Sequence, residues 1–229
     1  MMNKIELELN INEIFCSDDK FEMIMLQAFT AREDVYTINK LLQRADLTRT
    51  EFLFLFKIII GITREANELL REIYEKYTDN LMEFSNWGQI ESHKNELERI
   101  NNGIGKDSFS YQVIKKIRDQ TFHYKDTHNI KNRLNECIPI ESVFNIGTKT
   151  AFDTEYVFTQ DIFYNYVESV WRNYRKAEDE VNSVPEFVKL MSEYSVSVAK
   201  NLEVLIDGYF DKYTNFTEDA LEKHILKRK

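Results

Sequence analysis

The chain has 229 residues and a net charge of −9, which is long enough for one sizeable core or two small ones. The acidic balance excludes a general nucleic-acid coat, which needs a basic excess, but leaves room for a local basic site. Only 6 Gly and 2 Pro stand beside 16 Phe and 12 Tyr; long periodic segments with so little punctuation predict an all-α protein.

The opening residues, Met1 to Glu8, alternate charged and apolar side chains without a continuous apolar stretch, so no secretory signal is expected. Residues 4–15 read as a short strand or an irregular arm. A first helix is expected from about Asp19 to Ala45, with Phe21, Ile24, Met25, Ala28, Ile38 and Leu41 at helical spacing. The next opens at a capping box, Thr48 to Glu51, and continues past Gly61 through Ala66, Leu70, Ile73 and Tyr77. Gly61 is expected either to bend this helix or to let another approach closely. Its most apolar run, Phe52 to Ile62, is interrupted by Lys57 and falls short of the roughly 20 residues a membrane span needs. No membrane association is therefore expected. Cys16 and Cys137 lack metal-ligand spacing and read as reduced thiols of a cytoplasmic protein.

Asn86-Trp87-Gly88 reads as a turn, followed by a helix around Gln89 to Ile100. The loop Asn101 to Lys106 superficially resembles a phosphate-binding loop. No strand precedes it, and Asp107 stands where Ser or Thr should follow the lysine, so it reads as a helix–helix connection. Asp107 or Ser108 then caps a helix over about 108–124 whose core face is Val113, Ile114, Ile117, Thr121 and Tyr124. Residues 138–158, with Pro139 and Gly147, suggest extended chain or a small hairpin insertion. Two strong helices close the chain. One carries Phe163, Tyr166, Val167, Val170 and Trp171; the other opens at a capping box, Ser183 to Glu186, and carries Phe187, Met191, Tyr194, Val198, Leu202 and Tyr209. Aromatic stripes at this spacing are core far more often than cofactor boxes. The chain reads as a single helical domain over residues 1–229.

The chemistry-bearing stretch is Ile117 to Tyr124. Between Tyr111 and Arg133 six basic residues face only two acids, so this region is locally basic in an acidic chain. Asp119 and His123 are one helical turn apart, which lets the carboxylate fix the imidazole tautomer and favour its protonated form. Arg118 grips phosphate oxygens, and His123 exchanges a proton near neutral pH. Arg118 and His123 are separated by about 140° on a straight helix. Both reach one substrate most simply in a cleft between two copies of the helix, across a two-fold axis. Lys115, Lys116, Tyr124 and Lys125 surround the pair as candidate substrate-binding residues. Asp126 and His128 lack diagnostic metal spacing and read as loop residues.

Arg118-Asp119-Gln120-Thr121-Phe122-His123 resembles the R-x4-6-H motif of the HEPN superfamily (higher eukaryotes and prokaryotes nucleotide-binding domains). The resemblance implies an antiparallel, HEPN-like helical bundle, usually a homodimer. It implies either a metal-independent endoribonuclease of a defence, toxin–antitoxin or stress system, or a non-catalytic module that binds RNA, nucleotides or a protein. Carried over, Arg118 and His123 are the catalytic pair and Asp119 orients them. No metal or cofactor takes part, and an antitoxin or a nucleotidyltransferase is the expected partner. The chain departs from members carrying His-x-Tyr, the tyrosine that such a nucleotidyltransferase modifies: here Tyr124 follows His123 directly.

Overall fold

The helices that start at Lys20 and Arg49 begin where the sequence supplies caps. The computed structural model describes residue 15 and residues 18–103, 106–122, 157–175 and 183–214. Asp19 caps α1 (Lys20–Leu42), accepting hydrogen bonds from the amides of Phe21 at 2.8 Å and Glu22 at 3.1 Å. Phe21, Ile24, Met25, Ala28 and Val35 form its buried stripe. The helix stops at Leu42, short of the expected Ala45, and Gln43 closes it.

The capping box of α2 (Arg49–Lys76) forms as the sequence predicts. The Thr48 hydroxyl accepts from the Glu51 amide at 3.2 Å, and the Glu51 carboxylate accepts from the Thr48 amide at 2.8 Å. The helix runs unbroken through Gly61. A short α3 (Thr78–Met82), not anticipated from the sequence, follows. The expected turn at Asn86-Trp87-Gly88 is corrected: Trp87 and Gly88 already open α4 (Trp87–Ile100). The Asn86 carbonyl takes the amides of Gln89 and Ile90 at 2.9 and 3.1 Å, which starts the helix earlier.

A single π turn (Ser110–Ile114) leads into α5 (Lys115–Phe122), and α6 (Val157–Arg175) and α7 (Ser183–Thr214) complete the described chain. Pro185 sits in the first turn of α7, where its missing amide proton costs nothing. The seven helices make an all-α arrangement, and the described residues contain no strand. The extended or hairpin insertion anticipated near 138–158 lies outside the described residues up to 156; residues 157 and 158 are helical.

Helix α7 holds the assembly together by packing against α1, α2, α4 and α6. Its face of Phe187, Met191, Tyr194, Val198, Leu202, Leu205 and Tyr209 is buried, as are Phe163, Tyr166, Val167, Val170 and Trp171 of α6. These aromatic stripes are core, as expected. One polar clamp crosses that core. Buried Asn201 accepts from the Tyr74 hydroxyl at 2.7 Å and donates to the carbonyls of His93 at 3.0 Å and Ser197 at 2.8 Å. Where the chain turns before α4, Asn86 donates to the Val204 carbonyl of α7 at 2.8 Å. No helix among the described residues is long and apolar enough to cross a membrane.

Candidate functional site

The motif helix is positioned from its N-terminal end. Helix α4 finishes with Asn102 at φ 57° and Gly103 at φ 92°, and the Gly103 amide returns to the Glu98 carbonyl at 2.9 Å. This reversal turns Asn101 toward the next helix. The Asn101 carbonyl takes the Phe109 amide at 2.8 Å, and its side-chain oxygen takes the buried Ser110 amide at 2.7 Å. Of the two expected caps, Ser108 acts, accepting from the Tyr111 amide at 3.3 Å. Phe109, fully buried, meets Trp171 and Tyr194 edge-on. Val113, Ile114 and Ile117 are buried as well, so Arg118 is carried to the surface one position beyond the core face.

Arg118 is 34% exposed and held by two carboxylates: Glu65 of α2 at 2.8 Å through Nη2, and Asp119 at 3.0 Å through Nη1. Arg118 lines an open, mostly apolar groove of about 680 Å³ along α1 and α2, with Ile58, Ile62, Ala66 and Leu69. Gly61 also lines this groove. The structure thus brings Arg118 and Asp119 together and adds Glu65. His123, Tyr124 and Lys125 lie outside the described residues.

No family model, characterised protein or solved structure matches the chain.

The lysines of the motif helix serve different surroundings. Lys116 is exposed and donates to Gln112 at 3.0 Å. Lys115 stacks over the Tyr111 ring at 4.3 Å and lines a second hollow, which shares no residue with the Arg118 groove. The sequence therefore grouped Lys115 with Arg118, whereas the fold faces them into separate spaces. Among the described residues no three His, Cys, Asp or Glu side chains converge on a common point; Asp126 and His128 fall outside these residues.

Two contributors escaped the sequence reading. Glu65 is 53 positions from Arg118, and no local pattern marks it. Asn101 does carry a signal, because Asn-Asn-Gly after a helix marks a left-handed end. Its second role, gripping the start of the motif helix, depends on where α4 aims the chain.

Proposed function

We propose that the chain is a HEPN-like, metal-independent endoribonuclease acting as a homodimer with its motif helices face to face. The observation that carries this reading is the placement of Arg118 and Asp119. The guanidinium is oriented by a neighbouring carboxylate, partly exposed, and set beside an open groove at the end of a helix anchored in the core. Glu65 is itself 62% exposed, and exposed ion pairs contribute about 0–1 kcal/mol. A phosphate offering charge-assisted hydrogen bonds of about 1.5–3 kcal/mol displaces such a partner.

In this mechanism one His123 takes the proton of the ribose 2′-hydroxyl as its oxygen attacks phosphorus. The His123 of the second copy protonates the departing 5′-oxygen, and Arg118 stabilises the charge gathering on the phosphoryl oxygens. Asp119 holds the histidine tautomer. The products are a 2′,3′-cyclic phosphate and a 5′-hydroxyl. The cellular context of such an activity is defence, toxin–antitoxin or stress control, with a small antitoxin or a nucleotidyltransferase as partner.

The test compares wild type with His123→Ala on RNA in EDTA. Wild type is expected to cut RNA, leave DNA intact and yield cyclic phosphate ends; His123→Ala is expected to lose about 10²–10⁴-fold in rate. Equal cleavage by both rejects the site. A second reading, a non-catalytic RNA- or nucleotide-binding module, is favoured by the two carboxylates already on Arg118. RNA binding by both proteins without cleavage by either selects it. Light scattering at micromolar concentration tests the dimer, and the mass of a single chain overturns it.

A further inference from the structure

We infer that the second hollow, between α2, α4 and the π turn, is a binding site for a small phosphate-bearing ligand. It encloses about 140 Å³, with Arg64, Arg71, Lys94 and Lys115 on its walls beside Tyr74 and Tyr111. This inference does not rest on RNA cleavage, because no residue of the Arg118 groove takes part.

Among the described residues, three of the four cations lack a close acceptor oxygen. Arg64 is only 14% exposed, and its one carboxylate contact, through Nη2 to Glu68, is long at 3.5 Å. Its Nε and Nη1 are buried with no hydrogen-bond acceptor among the described residues, which is costly for a guanidinium unless something supplies one. Lys94 lies over the Tyr74 ring at 5.4 Å and Lys115 over the Tyr111 ring at 4.3 Å. Neither ammonium has a carboxylate within ion-pair distance among the described residues.

The acids of the hollow do not cancel this. Glu68 spans Arg64 and Arg71, at 3.5 and 3.0 Å, and so sets the two guanidinium groups side by side. Glu75 is 3.5 Å from Arg71. Glu98 faces Tyr74, and with Glu68 and Glu75 it leaves the four cations of the hollow one positive charge in excess. A guanidinium and two ammonium groups, contributed by three different elements, suit the several oxygens of a tetrahedral dianion better than a flat carboxylate. The π turn supplies Ser110 and Tyr111 to the same wall, and π turns concentrate at functional sites.

The experiment titrates the full chain with inorganic phosphate, and separately with adenosine 5′-monophosphate, at constant ionic strength by calorimetry. Wild type is expected to bind saturably. Lys94→Ala and Lys115→Ala are each expected to weaken binding about tenfold, the loss of one charge-assisted hydrogen bond, whereas Lys40→Ala on α1 is not. Arg64→Met is expected to abolish binding and, without phosphate, to melt no lower than wild type, since an unsatisfied buried charge is exchanged for an apolar side chain. Tighter binding of the nucleotide, lost in Tyr111→Ala, assigns the site to ring-bearing phosphomonoesters; equal affinities assign it to free phosphate. Absence of saturable binding of either probe overturns the inference. So does a loss in Lys40→Ala as large as in Lys94→Ala, which indicates diffuse screening, or an Arg64→Met chain that binds as wild type does.

Discussion

Asn101 shows how one side chain positions Arg118 without touching it. It ends α4 and starts the motif helix, and the Ser110 amide it receives is buried. Asn101→Ala leaves that amide without an acceptor, at a cost of about 1–3 kcal/mol. The denaturant midpoint is expected to fall accordingly, with amide exchange accelerating first at Ser110 and in the turn after it. An unchanged midpoint means that another group satisfies the amide. Arg118 teaches the complementary lesson. Its place one position beyond the core face was legible from the sequence. Its ion pair with Asp119 was not foreseen, because adjacent helical residues do not ordinarily face each other and Asp119 was expected to serve His123. Glu65 was not legible either, because its approach requires α2 and α5 to pack first.

At the scale of elements, caps and periodicity were legible because they are local. Asp19 and Thr48 meet amides two or three residues away, so the starts of α1 and α2 could be read from the sequence alone. The π turn was not legible: its residues have the apolar spacing of an ordinary helix, and only the surrounding contacts favour one extra residue in the turn. Gly208 was equally silent. A β-carbon there lies 2.2 Å from Asn86 Oδ1 and 2.6 Å from the Phe84 ring. Replacing glycine by alanine inside a helix ordinarily gains about 1 kcal/mol. Here Asn86 is fixed by its bond to the Val204 carbonyl and Phe84 is buried, so overpacking of about 1–3 kcal/mol opposes that gain. Gly208→Ala is expected to lower the melting temperature, whereas Gly88→Ala, with open space around its β-carbon, is expected to raise it or leave it unchanged. A stabilised Gly208→Ala chain contradicts the close contact.

For the whole molecule, two phenolic hydroxyls contribute to the alkaline decline in stability. Burial raises the Tyr194 hydroxyl above the ordinary tyrosine value. Burial, reinforced by Glu98, raises that of Tyr74, whose hydroxyl donates to Asn201 in the core. In the unfolded chain both ionise at about pH 10, while in the folded chain both stay protonated. The unfolded state therefore binds fewer protons above that pH, so their stabilisation is complete below about pH 10 and is lost as pH rises. Denaturant midpoints are expected to fall between about pH 9.5 and 11, with tyrosinate absorbance from these two residues appearing only on unfolding. Tyr74→Phe is expected to flatten part of that decline. A midpoint independent of pH across the window overturns the assignment. That Tyr194 is interior was readable from its helical spacing, but the partner of half-buried Tyr74 was not: Asn201 meets it across 127 positions of sequence.

The π turn has a consequence for how this chain tolerates changes in length. A turn closed by i to i+5 bonds holds one residue more than an α turn, so shortening it restores ordinary helix without rotating α5 beyond it. Removing half-exposed Gln112 is therefore expected to leave Phe109 under its Asn101 clamp and Arg118 on the same side as Glu65, whereas removing one residue between Lys115 and Ile117 turns Arg118 by about 100°. Length variants of this segment should thus divide sharply by position: those shortened within 110–114 keep the guanidinium at its groove, and those shortened a turn later do not.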